Sequence, residues 1–220
     1  MFLKIILLII FFYFIKFTKY ICTIPPIKNS LKRKILKMLY DTDQIFTRHK
    51  INYWAEGGTL LGIVRHKGPI PWDDDNDICI LEEDYDKIIK LKEEFYNRGY
   101  NLIKHYYGFK ISYIGGLELK NLKYTYPFLD IFIRKLRSNR IVLSRTKKWS
   151  KFYFLKDEVF PIRRYKYENF YINGPKNPYG YLNRGYPKWK HLLKNKGGHN
   201  KNNYTKKQTC FNFKTLYKEF

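Results

Sequence analysis

The sequence has little cysteine and few acidic residues. Three cysteines in 220 residues allow at most one disulfide bond, which excludes a fold held together by a disulfide framework. Nineteen acidic residues stand against 43 basic ones, so the formal net charge is +24. A surplus of this size is typical of proteins that contact nucleic acid, anionic membranes or phosphorylated ligands.

Apolar residues are not scarce. Hydrophobic residues make up 45% of the chain and aromatic residues 19%, which is enough to bury a core and excludes a disordered polyelectrolyte. A length of 220 residues corresponds to one domain, or to one domain with a terminal appendage.

An unbroken apolar run of eleven residues lies near the N-terminus, at positions 5–15. Eleven helical residues span about 16 Å, whereas residues 2–24, with their lysines snorkelling, are long enough to cross a bilayer. No small-x-small cleavage site precedes Pro25 and Pro26. We therefore predict an uncleaved, single-pass signal anchor over residues 1–24, with a cleaved signal peptide or a buried core helix as the alternatives.

Two features of the sequence disagree about the orientation of this anchor. Seven basic residues follow the apolar run between positions 16 and 37, which by the positive-inside rule keeps the domain cytoplasmic. The glycosylation sequon at Asn203, Tyr204 and Thr205 instead favours a lumenal domain. We expect a membrane location facing a Golgi-like lumen of the secretory pathway, with the orientation left open.

The remaining periodicity predicts a mixed α/β fold with a small mixed sheet. The predicted elements are helices over about 31–49, from 59–65 and over 82–98, short strands over 51–55 and 75–81, and strands within 100–133 that turn at Gly115 and Gly116. Residues 174–189 are rich in turn residues, and the predicted organisation is an anchor at 1–24, a folded domain at 25–193 and a basic, polar tail at 194–220.

The scarce acidic residues are concentrated in one quarter of the chain. Residues 41–94 hold thirteen acidic and seven basic residues, although the rest of the chain is strongly basic. Four aspartates fall within five positions, at Asp73, Asp74, Asp75 and Asp77. Carboxylates this close repel one another, and a divalent cation bound by oxygen ligands, such as Mg²⁺ or Mn²⁺, removes that cost.

Strand geometry selects two of these aspartates as metal ligands. If a strand begins near residue 75, Asp75 and Asp77 point to one face while Ile78 and Ile80 point to the core. A calcium-binding EF loop is excluded, because it requires glycine at position 78, where isoleucine stands. A solvated acidic turn remains the plain alternative to a catalytic metal site.

A glycine turn and a group of cations precede these aspartates. Gly57, Gly58 and Thr59 lie between a predicted strand and a predicted helix, where exposed backbone N–H groups and the helix N-terminus bind anions. The adjacent run Arg65–His66–Lys67 supplies cations suited to phosphate oxygens, although such a triplet is also compatible with a solvated surface.

A third carboxylate is expected from another strand. Asp130 is a lone acid in the apolar run 126–133, and a buried aspartate is costly unless it is paired or bound to a metal. Asp130 is therefore a candidate third ligand or proton acceptor, with a structural ion pair to a lysine as the alternative.

Residues 54–80, WAEGGTLLGIVRHKGPIPWDDDNDICI, closely resemble the LicD family, which includes fukutin and fukutin-related protein. The matching pieces are GTLLG at 58–62, RHKG at 65–68, IPWDDD at 70–75 and the DxD pair at 75–77. The strand LDIFI at 129–133 resembles a later strand of the family, and 168–191 resemble it loosely. Asn76 departs from the pattern, since an apolar residue is common there.

The resemblance implies a nucleotidyltransferase-like fold and a metal-dependent transferase. Members of the family move phosphocholine or ribitol phosphate from a CDP-alcohol donor to a glycan hydroxyl and release CMP. Carried onto this chain, Mg²⁺ or Mn²⁺ would be held by Asp75, Asp77 and Asp130. The substrate and its phosphates would be held by Gly57, Gly58, Thr59, Arg65, His66, Lys67 and Trp72.

Two other functional classes remain open at this point. A DxD-dependent glycosyltransferase would also hold a metal on a nucleotide diphosphate. Residues 134–166 carry twelve basic and two acidic residues with Trp149, Phe152 and Phe154 among them, a composition that also suits a non-catalytic protein binding nucleic acid or membrane. We favour the transferase with a CDP-alcohol donor, a glycan acceptor and membrane attachment through the N-terminal segment; nucleic acid is not an expected partner.

Overall fold

The structure is a computed structural model that describes residues 24–146, 148–195, 198–199 and 208–211. Its helices are α1 (Asn29–Arg48), α2 (Gly57–His66), α3 (Tyr85–Lys90), α4 (Lys92–Asn97), α5 (Lys156–Val159) and α6 (Tyr179–Gly185), with a 3₁₀ turn at Glu82–Asp84. Its strands are β1 (Tyr53–Ala55), β2 (Asn76–Leu81), β3 (Tyr100–His105), β4 (Gly108–Glu118), β5 (Thr125–Arg137), β6 (Arg140–Leu143), β7 (Phe154–Leu155), β8 (Arg163–Tyr167), β9 (Phe170–Gly174), β10 (Leu192–Asn195) and β11 (Gln208–Phe211).

Seven strands form the central sheet. Strands β1, β2, β5, β4 and β3 lie side by side in that order, and β6 and β7 extend the sheet from the far end of β5. The pairing of β2 with β5 is parallel, whereas the other pairings in the sheet are antiparallel. This mixed pairing confirms the predicted mixed α/β fold.

The long strand β5 runs through the middle of the core because its sequence suits a strand buried on both faces. Nine consecutive residues from Tyr126 to Arg134 are buried, and most of them are aromatic or β-branched. Helix α1 packs against β5 and turns one face inward, including Ile35, Met38 and Phe46. The sheet and α1 thereby support the side chains at the start of β2.

Most elements lie where the periodicity predicts them, but two assignments were wrong. Gly115 and Gly116 do not form the turn between two strands; they lie inside β4, where the register with β5 shifts between Ser112 and Leu117. Glycine accommodates such an irregularity within a strand as readily as it accommodates a turn. The helix predicted over 82–98 is divided at Leu91 into α3 and α4.

The departure at Asn76 has a structural explanation. This side chain is buried at the start of β2, where its amide donates to Ile35 O at 2.9 Å and accepts from the Tyr167 hydroxyl at 3.3 Å. Both polar groups of the amide are thus satisfied, which removes most of the cost of burying it.

The predicted single-pass membrane anchor requires correction. No helix among the residues that the structure describes is long and apolar enough to cross a membrane. Residues 1–23 of the predicted anchor lie outside the described residues, and Ile24, its last residue, is buried in the main core of the domain. The membrane location and the membrane partner are therefore not carried further.

The predicted boundary between the domain and a C-terminal tail falls within a strand. Strand β10 crosses residues 193 and 194 and pairs antiparallel with β11, so that Leu192 faces Phe211 and Asn195 faces Gln208. The glycosylation sequon at 203–205 lies outside the described residues. The division at 193 remains a prediction.

Candidate active site

The register of the central sheet places an acidic pair on two of its inner strands. In the parallel pairing of β2 with β5, Asp77 lies directly beside Asp130. In the antiparallel pairing of β5 with β4, Asp130 lies directly beside Lys110. Laterally paired residues of neighbouring strands point to the same face, so these three side chains form one row across the sheet.

Three carboxylates converge at the end of this row. Oxygens of Asp75, Asp77 and Asp130 all lie within 4.8 Å of one another, the spacing expected of ligands to one metal ion. Asp75 is in the loop immediately before β2, and Asp77 is the second residue of that strand. The structure therefore brings together the three residues that the sequence predicts as metal ligands.

Burial and mutual repulsion make it costly to ionise this group without a cation. Burial, and then the charges of Asp75 and Asp130, raise the pKa of Asp77 well above its ordinary value. Burial, and then the charge of Asp73, do the same to the pKa of Asp75. A bound divalent cation would reverse both effects, because it favours the ionised carboxylates.

The glycine turn holds Asp77 in position. Gly58 N–H donates to Asp77 Oδ2 at 2.9 Å, and the backbone N–H of Asp77 donates to Thr59 Oγ1 at 2.8 Å. Gly57 N–H donates to the Tyr181 hydroxyl at 3.1 Å. In this structure these groups bind the protein itself, so their predicted contact with phosphate remains a prediction.

Asp130 is the most enclosed member of the carboxylate group. One of its oxygens, Oδ1, accepts from Lys110 Nζ at 2.5 Å and from the Tyr107 hydroxyl at 2.7 Å. Both alternatives considered for Asp130 are therefore present together: it pairs with a lysine and it faces the other two carboxylates. The Lys110 ammonium lies 3.6 Å from the centroid of the Phe128 ring and 4.5 Å from that of Tyr124.

The predicted cation group divides into residues near the carboxylates and residues away from them. Arg65 lines the cavity and donates to the carbonyl oxygens of Trp189 at 3.0 Å and Leu192 at 3.2 Å. Burial lowers its pKa to about 10. His66 accepts from Arg65 Nε at 2.9 Å. Lys67 is exposed at the C-terminal end of α2.

Trp72 forms part of the same wall as Arg65. Its ring packs edge-on against His66 with 5.6 Å between centroids, and its indole N–H donates to Lys194 O at 3.1 Å. Trp72 is therefore a buried wall residue whose polar group is already bonded.

Sequence reasoning missed several groups in the site. His199 N–H donates to Asp74 Oδ2 at 2.7 Å, and His199 Nδ1 lies 2.9 Å from Asp74 Oδ1 and 3.6 Å from Asp75 Oδ2. Burial opposes protonation of His199, but the bond to Asp74 and the charge of Asp75 raise its pKa to about 9. Burial, followed by the charges of Asp77 and Asp74, raises the pKa of Asp73 to about 7.

No local pattern identifies these missed residues. His199 falls in a segment of polar composition, and Tyr107 and Lys110 are ordinary residues of a hairpin. They join the site through strand register and through the return of the chain after β10.

The site opens into a cavity of about 730 Å³. Its acidic end is formed by the aspartates, while Arg65, Lys110 and His199 supply cations and several aromatic rings supply apolar surface. Of the predicted site residues, the cavity is lined by Gly58, Arg65, Trp72, Asp75, Asp77 and Asp130. The other predicted residues, Gly57, Thr59, His66 and Lys67, do not line it. The cavity has the size and the mixed lining of a small-molecule site.

Comparison with known proteins identifies the family. Residues 50–177, more than half of the chain, match the nucleotidyltransferase domain of LicD, FKTN and FKRP. The chain belongs to the LicD family. The matched region contains all of the predicted site residues and all of the central sheet.

Several curated proteins are similar to this LicD domain. An uncharacterized protein of Rickettsia typhi is 37% identical over 155 residues, which cover 70% of this chain and 46% of that protein. The lipopolysaccharide cholinephosphotransferase LicD of Haemophilus influenzae is 42% identical over 55 residues, covering 25% of this chain and 21% of that protein. The human ribitol 5-phosphate transferase FKRP is 48% identical over 42 residues, covering 19% and 8%. The chain spans about half the length of the rickettsial relative.

The donor set of the LicD-family site fits a hard divalent cation. Asp75, Asp77 and Asp130 offer only carboxylate oxygens, which suit Mg²⁺ or Mn²⁺ rather than softer metals. Asp74, Asp75 and His199 form a second group whose ligand atoms also lie within 4.8 Å of one another. The first group is closer to the family motif, because it is built from the DxD pair and the later strand.

A buried ion pair links the elements that carry the site. Glu56, which directly precedes the glycine turn, is hydrogen-bonded to Arg134 of β5, and both side chains are buried. Arg134 Nη1 also donates to Phe152 O at 2.9 Å. Glu56 N–H donates to Asp77 O at 3.1 Å, so the pair links the glycine turn, β2 and β5.

Proposed function

We propose that this domain is a metal-dependent phosphotransferase that moves a phospho-alcohol from a CDP-alcohol donor to a glycan hydroxyl. The observation that carries the proposal is the convergence of Asp75, Asp77 and Asp130 in one cavity of a LicD-family domain. The two named relatives, a cholinephosphotransferase and a ribitol 5-phosphate transferase, support phosphocholine or ribitol phosphate as the group transferred.

Asp75, Asp77 and Asp130 would hold Mg²⁺ or Mn²⁺. When bound, the cation neutralises charge on the donor diphosphate and on the departing nucleotide. Gly58 and Thr59 keep Asp77 in place through the bonds to its carboxylate and to its backbone N–H. A preorganised carboxylate group of this kind stabilises developing charge without reorganisation during the reaction.

The cations of the cavity complement the phosphates. Arg65 lines the same cavity as Asp73 and Asp77. Its positive charge suits the phosphate of the leaving CMP. Lys110 neutralises Asp130 on the other side, which limits the net negative charge that an anionic donor meets.

The transfer forms one bond to phosphorus and breaks another. The acceptor hydroxyl oxygen forms a bond to the phosphorus that bears the alcohol, and the bond from that phosphorus to the CMP oxygen breaks. CMP leaves with the electron pair, and the hydroxyl proton of the acceptor passes to solvent. Positioning and charge neutralisation account for most of the rate in phosphoryl transfer, so little covalent chemistry is asked of the protein.

A donor screen tests the proposal. The protein is incubated with Mg²⁺ or Mn²⁺, with CDP-choline or CDP-ribitol, and with lipopolysaccharide or simple oligosaccharides. We expect CMP by chromatography and a phospho-alcohol mass increment on the acceptor. Asp75→Asn and Asp77→Asn should reduce both to background, because each removes a carboxylate from the predicted metal site.

Asp86→Asn is the matched control, since it makes the same substitution at an exposed position on α3. It should leave activity unchanged, and circular dichroism should show that all variants are folded. Full metal-dependent activity in Asp75→Asn or Asp77→Asn would contradict the proposed site. Release of UDP or GDP from a nucleotide sugar, with no CMP from either donor, would favour the glycosyltransferase alternative.

A further inference from the structure

One side of the cavity is formed by aromatic rings. Tyr106, Tyr107, Phe132 and Trp149 form a continuous cluster, which we call the aromatic wall. Its centroid distances run from 4.5 Å, between Tyr107 and Phe132, to 6.5 Å, between Tyr106 and Trp149. These two pairs are nearly parallel, with interplanar angles of 29° and 30°. Three of the four rings line the cavity, and Tyr106 stacks on Trp149.

Trp149 differs from the other tryptophans of the chain. The other three are at most 9% exposed, whereas Trp149 is 39% exposed. Its backbone has a φ of +63°, in the left-handed region that bulky residues rarely adopt. An exposed indole in a strained backbone costs stability without burying much surface, and such features concentrate at ligand sites.

His105 places a polar atom against the wall. Its ring centroid lies 4.2 Å from that of Tyr107 and 4.6 Å from that of Tyr106, and it also lines the cavity. Its Nδ1 is buried and has no hydrogen-bond partner among the residues that the structure describes. Buried polar atoms are normally paired, so this nitrogen is suited to a ligand with a polar edge.

We propose that the aromatic wall is the subsite for the base of the donor nucleotide, which stacks on Trp149 and meets His105 at its edge. This proposal rests on the proposed function. The wall reaches the carboxylates through one side chain, because the Tyr107 hydroxyl donates to Asp130 Oδ1 at 2.7 Å. A diphosphate at the aspartates would therefore leave its nucleoside beside the wall.

The chemistry of the wall favours a base over the ring of an acceptor sugar. A sugar ring presents hydroxyls on its edges and needs several hydrogen-bonding groups, but the Tyr107 hydroxyl is already bonded to Asp130. A nucleobase offers a flat face for stacking and a small number of polar edge atoms. Lys148 Nζ, 4.9 Å from the Trp149 centroid, adds positive charge suited to an anionic nucleotide.

The test compares two ligands that differ only in the base. CMP and ribose 5-phosphate are titrated calorimetrically into the full chain with Mg²⁺. We expect Trp149→Ala to weaken CMP binding about 5- to 150-fold, the effect of losing one stacked base, and to leave ribose 5-phosphate binding unchanged. Trp149→Phe should retain most of the CMP affinity, and Tyr171→Ala, which removes a 55% exposed ring on β9, should change neither ligand.

His105→Phe adds a second measurement, because it keeps a ring against Tyr106 and Tyr107 and removes the nitrogens. We expect it to reduce the preference for CMP over UMP at unchanged thermal stability. The proposal is overturned if Trp149→Ala leaves CMP binding intact or weakens CMP and ribose 5-phosphate equally. If the wild-type chain binds neither CMP nor either CDP-alcohol, the proposed function fails and the base subsite fails with it.

Discussion

Gly57→Ala is a severe test of the site geometry, because two features of this position exclude a side chain. Gly57 has a φ of +56°, a conformation that is strained for any residue with a Cβ. A Cβ at this position would lie 2.2 Å from Asp77 Oδ2 and 2.8 Å from Asp77 Cγ. Aspartate is too short to move its carboxylate aside while keeping it in the metal site, so the substitution should displace Asp77.

The expected cost follows from these two features. The left-handed backbone contributes about 1–2 kcal/mol for a residue other than glycine. Displacing Asp77 breaks the hydrogen bond from Gly58 to its carboxylate, and a bond to a charged group contributes about 1.5–3 kcal/mol. The free energy of unfolding should therefore fall by about 2.5–5 kcal/mol, and affinity for Mg²⁺ or Mn²⁺ should fall about 10- to 100-fold.

Gly115→Ala provides the matched control. Gly115 has a similar φ of +66°, but a Cβ added there meets nothing within 4 Å. Urea unfolding should show a loss of about 1–2 kcal/mol for this variant, from backbone strain alone, and calorimetry should show wild-type metal affinity. If both variants lose equal stability and Gly57→Ala keeps its metal affinity, the packing of the glycine turn against Asp77 does not position a ligand.

Three further predictions concern the charges around the site. Arg134→Met should lower the free energy of unfolding, measured by urea denaturation, by about 3–5 kcal/mol, because it leaves Glu56 buried and unpaired. The double variant Arg134→Met/Glu56→Gln should recover part of this loss. A loss below about 1 kcal/mol in Arg134→Met would contradict a stabilising role of the buried pair. The raised pKa values of Asp75 and Asp77 make the folded state bind more protons than the unfolded state above pH 3.8, so the metal-free protein should lose stability as pH rises. Mg²⁺ should therefore raise the unfolding temperature more at pH 8 than at pH 5. An equal rise at the two pH values would refute this. Lys110→Met should destabilise the metal-free protein and increase the stabilisation by Mg²⁺, since the cation replaces the lost ammonium; a Mg²⁺ response no larger than that of the wild type would contradict this role.

The sequence was most informative where the candidate site residues lie close together in the chain. The glycine turn and the DxD pair lie within about twenty positions, and their chemistry was readable because close carboxylates require a cation. Asp130 was also identified in advance, since an isolated acid in an apolar strand is costly to bury. The predicted membrane anchor was wrong: no helix among the described residues is long and apolar enough to span a membrane, and Ile24, the last residue of the predicted anchor, packs in the domain core.

The other half of the site depends on tertiary structure. Lys110 and Tyr107 belong to the site only because β4 pairs with β5 in a register that aligns Lys110 with Asp130. The register shift in β4 lies at its glycines, which are therefore within a strand rather than at a turn, a distinction that the composition of the segment does not make.

By itself the sequence determined the mixed α/β class, the family and the three aspartates that meet in the cavity, because these follow from local pattern and from residue chemistry. Tertiary structure alone decided which cations meet those carboxylates, which glycine N–H donates to Asp77, and which tryptophan is left exposed at the cavity. The physical reason is that burial, electrostatic repulsion and strand register act between residues that are distant in the chain. Asp77 and Asp130 are 53 positions apart and adjacent in the sheet.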